Sequence, residues 1–446
     1  MKNKILIQNA TIINEERKFI SDLLIENDRI STIKPNIQDS DIDLIIDATN
    51  KILLPGLIDD QVHFREPGLT HKGTINSESK AAVAGGITSF IEMPNTLPQT
   101  TTIDELTNKF KIAENSSYAN YSFMFGATNS NLEEIKKLNK NDVAALKIFL
   151  GSSTGNMLVD NIEVLKEIFL TTDLIIVVHS EDEEIINANL ETYKSKFGSE
   201  IPFEFHSKIR SEEACLKSTK KIINLAKETN ARLHVFHLST KSESLLFQNN
   251  IPLKDKRITS EVCVHHLWFS DEDYKEKQSL IKWNPSIKTS KDRDGLWEAL
   301  LSDKIDVIAT DHAPHTIEEK LKNYLDCPSG GPLVQHSLVS MLEHYNNNKI
   351  SLEKIARKMC HNPAILFEIK DRGFIREGYF ADLVMVDLNK SWEVNKENIL
   401  YKCNWSPFEG QTFKSKVLQT FVNGRLVYND GEFNSQLFGK KLTFNR

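Results

Sequence analysis

The spacing of hydrophobic and polar residues divides the chain into three parts. In residues 1–55, short apolar runs separated by Asn and Asp are typical of β-strands joined by turns. These runs lie at 5–7, 10–13, 22–25 and 30–33. From about residue 56, buried-strand patterns alternate with polar stretches of helical spacing. After about residue 365 the β pattern returns, and Asn423-Gly424 predicts a hairpin turn.

The middle part contains eight predicted buried strands, most of them separated by Lys- and Glu-rich helical stretches. The strands are expected at 57–63, 87–93, 121–126, 145–149, 174–179, 232–237, 258–263 and 305–311. Helices are expected at 103–111, 132–138, 162–169 and 212–227. This alternation predicts an α/β protein with a (β/α)8 TIM barrel over residues 56–365. Residues 1–55 and 366–446 are expected to pair into a small β-sandwich.

Composition narrows the class of protein without identifying the activity. The chain has 446 residues, 40% of them hydrophobic, and a formal net charge of −7. It is therefore expected to be globular, and nothing favours binding to nucleic acid or to an anionic membrane. Five scattered cysteines favour a reducing cytoplasm. Neither a signal peptide nor a membrane-spanning run is recognisable.

Histidine, lysine and aspartate residues suited to an active site recur where the predicted strands end. His63, Lys147, His179, His237 and Asp311 each lie within two residues of such an end. A single histidine of this kind is more often structural, but the set matches the strand ends at which TIM barrels place their active sites. Imidazoles and carboxylates suit Zn²⁺, which acidifies bound water and polarises carbonyls. The pattern therefore predicts a metal-dependent hydrolase.

The segment 59–68 carries the clearest resemblance to a known family. Gln61 and His63 share one strand face, and Arg65 follows just beyond the strand. This segment resembles the His-x-His-x-Arg motif of the dihydroorotases in the metal-dependent amidohydrolase superfamily, with Gln61 in place of the first histidine. Further similar segments are Met93-Pro94-Asn95-Thr96, His179-Ser180-Glu181-Asp182, Lys282-Trp283-Asn284-Pro285 and Asp311-His312-Ala313-Pro314-His315.

The resemblance implies a role for each matching residue. Zinc, as one or two ions, would be held by Gln61, His63, Lys147, His179, His237 and Asp311. Lys147 would react with CO2 and bridge the metals as a carbamate, and Asp311 would also shuttle protons as the catalytic residue. Arg65 would pair with the substrate carboxylate. The other implied substrate-binding residues are Asn95, Asn284 and His315.

The implied activity is the reversible cyclisation of N-carbamoyl-L-aspartate to (S)-dihydroorotate in pyrimidine biosynthesis. A homo-oligomer, such as a dimer, is expected, with a carbamoyltransferase as a possible partner. Two alternatives stay open. A hydantoinase or dihydropyrimidinase needs no carboxylate clamp at Arg65, and Gln61 leaves room for an inactive relative that serves as a structural partner.

Several neighbouring residues are expected to be structural. His234 lies on the opposite strand face from His237 and is predicted to pack in the core. His265 and His266 are adjacent, so their side chains are expected to point apart. The segment 151–155 is predicted to shape the mouth of the pocket.

Overall fold

The computed structural model describes residues 3–151 and 157–446, so residues 152–155 of the predicted pocket-mouth loop lie outside it. The described residues form twenty strands: β1 (Lys4–Asn14), β2 (Arg17–Glu26), β3 (Arg29–Lys34), β4 (Leu44–Asp47), β5 (Ile52–Pro55), β6 (Leu57–Val62), β7 (Ile87–Glu92), β8 (Asn120–Phe123), β9 (Phe125–Gly126), β10 (Leu146–Phe149), β11 (Ile176–His179), β12 (Leu233–Val235), β13 (Ile258–Cys263), β14 (Val307–Ala309), β15 (Leu383–Asp387), β16 (Trp392–Glu393), β17 (Thr412–Phe413), β18 (Lys416–Val422), β19 (Arg425–Asn429) and β20 (Glu432–Phe433).

The α-helices of the described residues are α1 (Ile75–Ala84), α2 (Ile103–Glu114), α3 (Leu132–Lys136), α4 (Ile162–Thr171), α5 (Glu183–Phe197), α6 (His206–Ile209), α7 (Glu212–Thr229), α8 (Lys241–Ser244), α9 (Val264–Trp268), α10 (Tyr274–Lys277), α11 (Ser290–Leu301), α12 (Ile317–Lys320), α13 (Ser337–Asn346), α14 (Leu352–Ala356) and α15 (Asn362–Leu366). Single 3-10 turns lie at Phe203–Phe205, Leu253–Asp255, Asp271–Asp273 and Gln278–Ile281, and a π-helical turn at Arg357–His361. Among these helices, none has the length and apolar character that crossing a bilayer requires.

Each of the eight predicted strands of the middle part is confirmed, although 121–126 is divided into β8 and β9. β6, β7 and β8 form a parallel three-stranded sheet, and β9 to β14 form a parallel six-stranded sheet in sequence order. Val62 makes a parallel bridge to His312, and the backbone N–H of His63 donates to the His312 carbonyl at 2.6 Å. The chain that follows β14 therefore lies beside β6.

The four predicted helices begin where the sequence indicates. Thr102, Asn161 and Ser211 cap α2, α4 and α7 by accepting hydrogen bonds from backbone N–H groups of the first turn. The helices α2, α4 and α7 extend two or three residues beyond the predicted ends, within the usual uncertainty of helix boundaries.

The first and last parts of the chain share one mixed sheet. Its order is β20-β19-β18-β15-β5-β1-β2-β3, with β4 also paired to β1. β5 joins the two parts, because it pairs with β1 on one side and with β15 on the other. The runs 5–7 and 10–13, expected as separate strands, form the single strand β1, because a bulge at Asn9 (φ 58°) interrupts the register without ending the strand. The hairpin is confirmed: Asn423 and Gly424 both have positive φ, as a type I′ turn requires.

Strand residues alternate between two separate hydrophobic clusters. Ile176 and Val178 pack in the large cluster that includes helix residues, whereas Val177 packs in a smaller cluster. The parallel strands are therefore buried on both faces, which explains their continuous apolar runs. Residues of the smaller cluster lie beneath the functional site described next.

Candidate functional site

One cavity of about 250 Å³ collects every residue predicted as functional from the sequence. These residues are Gln61, His63, Arg65, Asn95, Lys147, His179, His237, Asn284, Asp311 and His315. Phe149, Trp283, Ala313, Pro328, Ser329 and Gly330 complete the lining. The structure thus brings these residues together around one cavity, while the role of each residue stays a prediction.

Lys147 and His179 reach the cavity through the regular alternation of side chains along a strand. Lys147 follows Ala145, and His179 follows Val177, two positions further along their strands. Ala145 and Val177 both belong to the smaller hydrophobic cluster. Because side chains two apart share a strand face, the same face is apolar at its base and polar at its end.

Three cavity residues depart from strand geometry. His237, Asp311 and Arg65 have φ values of 38°, 49° and 71°, in the left-handed region that residues other than glycine seldom adopt. Phe236 packs in the smaller cluster, so regular alternation would turn His237 away from the cavity. Its left-handed backbone instead lets the side chain line the cavity. Such backbone strain is concentrated at functional sites.

His179 and His237 form one pair of converging nitrogens. His179 Nδ1 lies 3.0 Å from His237 Nε2, and His179 Nε2 lies 2.9 Å from Glu181 Oε2. Arg210 approaches the same Glu181 oxygen at 3.0 Å. Burial raises the pKa of Glu181, but the charge of Arg210 and the hydrogen bond from His179 outweigh it and hold the pKa at about 2. The Glu181 carboxylate thus accepts a hydrogen bond from the Nε2–H of His179, which leaves the lone pair of Nδ1 free to bind metal.

His63 and Asp311 form a second converging pair. His63 Nδ1 lies 2.8 Å from Asn95 Oδ1, and His63 Nε2 lies 3.2 Å from Asp311 Oδ1. Burial, followed by the charges of Arg65 and Lys147, holds the pKa of His63 well below its usual value, so the ring is neutral. Burial raises the pKa of Asp311 to about 7. This carboxyl group can therefore accept or release a proton near neutral pH.

Lys147 is 1% exposed, and its ammonium lies over the rings of Phe149 and Phe236, 4.8 and 4.1 Å from their centroids. Burial lowers its pKa to about 7. A substantial fraction of the side chain is therefore a neutral, nucleophilic amine at neutral pH.

Gln61 presents an amide where a histidine ligand is expected. Its Oε1 accepts a hydrogen bond from the thiol of Cys263 at 3.5 Å. Burial raises the pKa of Cys263 well above its usual value, so that thiol keeps its hydrogen. The amide oxygen is engaged by an uncharged neighbour, and the amide nitrogen has no lone pair to offer a metal.

Arg65 provides a buried positive charge in the same cavity. Its Nε donates to the Pro314 carbonyl at 3.0 Å, and its Nη2 lies 3.0 Å from His315 Nε2. Lys72 Nζ lies 3.0 Å from the other ring nitrogen of His315. Burial and the charge of Arg65 hold the pKa of His315 well below its usual value. His315 is therefore neutral where it contacts the Arg65 guanidinium. Burial lowers the pKa of Arg65 to about 10, so the guanidinium is still charged at neutral pH.

Asn284 supplies a neutral polar group to the lining. Its Oδ1 is buried, and within residues 3–151 and 157–446 no donor reaches it. A buried acceptor without a donor is costly, which suits a ligand N–H that reaches it on binding.

Glu181 and Arg210 were missed as functional residues by the sequence analysis. The His-x-Glu spacing at 179–181 was the one local signal, whereas Arg210 reaches Glu181 from the end of α6. The expectation that His265 and His266 point apart is wrong. Their ring centroids are 4.1 Å apart, because they lie in α9, where strand alternation no longer applies.

The chain is similar to a known protein family, to individual proteins of known sequence and to solved structures. A sequence model of the Amidohydrolase family matches residues 52–427. The chain is 36% identical to a dihydroorotase of Pyrococcus abyssi (strain GE5 / Orsay) over 88% of this chain and 87% of that protein. It is 34% identical to a dihydroorotase of Ehrlichia chaffeensis (strain Arkansas) over 94% of each chain. Among solved structures, L-hydantoinase (dihydropyrimidinase) of Arthrobacter aurescens has a TM-score of 0.92 and 27% identity, over 99% of this chain and 100% of that chain.

Proposed function

The chain belongs to the amidohydrolase family, and on this basis we propose that it is a dihydroorotase, a metal-dependent cyclic amidohydrolase of pyrimidine biosynthesis. It would interconvert N-carbamoyl-L-aspartate and (S)-dihydroorotate. The observation that carries this choice is a buried guanidinium, Arg65, in the same cavity as the histidines and Asp311. Both proposed substrates have a carboxylate that a guanidinium can pair with in a bidentate manner.

The donor set fits zinc or a related divalent ion. The two converging pairs, His179 with His237 and His63 with Asp311, bring imidazole nitrogens and a carboxylate together in one buried place. These are the ligand types that zinc prefers. When bound, the metal polarises the substrate carbonyl and acidifies a water molecule. We propose that Gln61 is a poor ligand and leaves one of two metal positions weak.

We propose that Lys147 carries a carbamate. Its neutral amine nitrogen would form a bond to the carbon of CO2 and release one proton to water. The side chain would then carry a negative charge instead of the positive charge of its protonated form. The lowered pKa of Lys147 supports this, since a buried ammonium would repel metal ions. The resulting anion would be a metal ligand in addition to His179, His237, His63 and Asp311.

Proton transfer is assigned to Asp311. In hydrolysis, its carboxylate would take a proton from the attacking water and deliver it to the ring nitrogen as the amide bond breaks. Cyclisation would use the reverse transfers. Arg65 binds the substrate carboxylate, with Asn95, Asn284 and His315 as the other substrate-binding residues. The raised pKa of Asp311 supports a role in both directions near neutral pH.

The finer features of fold and assembly are also proposals. The two parallel sheets would close into a (β/α)8 TIM barrel of residues 56–365, and the bridge between Val62 and His312 supports this closure. Residues 1–55 and 366–446 would form the β-sandwich domain. We further propose a cytoplasmic homodimer that acts on a small molecule, with a carbamoyltransferase as a possible partner.

The test compares dihydroorotate with dihydrouracil, which has the same ring without the carboxylate. A charged hydrogen-bonded pair contributes about 1.5–3 kcal/mol, which corresponds to roughly 10- to 150-fold in kcat/KM. We expect the purified, zinc-loaded protein to prefer dihydroorotate by at least the lower of these factors. Equal activity on both rings would exclude the assignment.

A hydantoinase or dihydropyrimidinase is the second candidate, favoured by the close structural similarity to the Arthrobacter aurescens enzyme. Its rings lack the carboxylate and would leave Arg65 buried without an anionic partner. A preference for dihydrouracil over dihydroorotate would support it. An inactive structural partner, the remaining alternative, would act on neither substrate and would contain little metal in the cavity.

A further inference from the structure

We propose that Asp60, His234 and Glu261 form a second cation site, which takes a divalent first-row transition ion such as zinc. The three residues come from β6, β12 and β13. Their ligand atoms, one from each residue, all lie within 4.8 Å of one another. None of the three is among the residues that line the cavity within the described chain. The site therefore lies outside the cavity lining, with a hydrogen bond to it: the backbone N–H of His237 donates to Glu261 Oε1 at 3.3 Å.

The position of the imidazole hydrogen on His234 supports a cation. Thr259 Oγ1 donates to the Leu233 carbonyl at 3.2 Å, so it accepts from His234 Nδ1 at 2.8 Å. Burial lowers the pKa of His234 to about 4, so the ring is neutral and Nε2 carries a lone pair. A polar partner that holds one ring nitrogen while the other binds metal is typical of metal-ligating histidines.

The free nitrogen of His234 faces two carboxylates. His234 Nε2 lies 3.2 Å from Glu261 Oε2 and 3.7 Å from Asp60 Oδ2. Three atoms with lone pairs thus point at one another, an arrangement that repels unless a positive species lies between them. One imidazole and two carboxylates are a donor set suited to zinc, manganese or iron.

The charge of the cluster agrees with a divalent ion. Asp60, His234 and Glu261 are each completely buried. Among the described residues, no hydrogen-bond donor reaches either oxygen of Asp60. Burial raises the pKa of both Asp60 and Glu261 well above their usual values, because two carboxylates are costly to bury together. A doubly charged ion would neutralise both acids at once, in place of the protons that otherwise do so. The charge of Lys147 also acts on Glu261, and conversion of Lys147 to a carbamate would remove that charge, a step that rests on the proposed function.

The experiment counts metal in the absence of the cavity ligands. The double variant His179→Ala, His237→Ala removes the converging pair in the cavity, and zinc is measured by mass spectrometry after dialysis against a chelator. We expect this protein to retain one zinc per chain. Adding Asp60→Asn should remove it. Adding Asp59→Asn instead should not, because Asp59 is equally buried but bonds to Thr310.

Crystals of the wild-type protein grown with zinc provide a readout that needs no variant. We expect an anomalous peak at the zinc edge between Asp60, His234 and Glu261. An empty site there, or a double variant that holds no zinc while its circular dichroism is native, would overturn the proposal and mean that protons neutralise the carboxylates. Neither measurement uses dihydroorotate, so failure of the proposed activity leaves this result unaffected.

Discussion

Replacing Arg65 by lysine tests how the cavity recognises its substrate. Arg65 is 4% exposed, and its Nε is held by the Pro314 carbonyl while its Nη2 contacts His315. Lysine keeps the positive charge but has no fork of N–H donors and cannot make the Nε contact. The variant should therefore lose one of two hydrogen bonds to the carboxylate and the orientation of the other.

The magnitude follows from the loss of one charge-assisted hydrogen bond. Such a bond contributes about 1.5–3 kcal/mol, so kcat/KM for dihydroorotate should fall roughly 10- to 150-fold, chiefly through KM. Dihydrouracil offers no carboxylate, and its kcat/KM should change by less than about threefold. The two substrates thus separate loss of recognition from loss of structure.

The assay follows ring opening of both substrates by ultraviolet absorbance, with zinc content measured on the same samples. Arg210→Lys is the matched control, because Arg210 is equally buried but acts on His179 through Glu181. It should reduce both activities together. Equal losses on both substrates for Arg65→Lys would refute the carboxylate clamp and assign Arg65 a structural role.

Three substitutions and one reactivation experiment test the metal site. His179→Ala should remove the metal of the cavity and the activity together, while the proposed site at Asp60, His234 and Glu261 keeps its own ion. Full metal occupancy of the cavity in that variant would exclude His179 as a ligand. Gln61→His should raise the number of zinc ions bound in the cavity toward two, and wild-type crystals with two full metal positions in the cavity would contradict this. Glu181→Gln should weaken zinc binding about 10- to 100-fold in a metal titration, because the His179 ring loses its anionic partner. Reactivation of metal-free protein by zinc should require CO2. At a fixed concentration of dissolved CO2, its rate should rise as the pH rises through about 7, because Lys147 then loses its proton. A rate independent of CO2 would exclude the carbamate.

Regular alternation explains which site residues were predictable. Lys147 and His179 extend faces that begin with Ala145 and Val177, so an apolar strand with a polar end identifies them. The location of His237 was predicted from its place at the end of a predicted strand, although alternation alone would have turned its side chain away from the cavity. A single left-handed φ reverses the expectation, and no pattern of hydrophobicity encodes that angle.

Contacts between distant segments were not predictable. Arg210 meets Glu181 only because the chain between β11 and α7 returns to the cavity. His234 was expected to pack in the core, and it is completely buried, but Asp60 and Glu261 from two other strands make its surroundings acidic. The residues that meet in each cluster lie far apart in the sequence. Their convergence depends on how the strands are arranged in space.

The pairing of β5 with β15 has a consequence for synthesis on the ribosome. Pro55 pairs with Leu383, so the partner strand of β5 is translated more than 300 residues later. At about 5–20 residues per second, that delay is roughly 15 to 60 s. During this interval the nascent chain exposes an apolar strand edge that can pair with other chains. Occupancy by a chaperone that shields β-edges should therefore be highest in that window and end once β15 has left the exit tunnel.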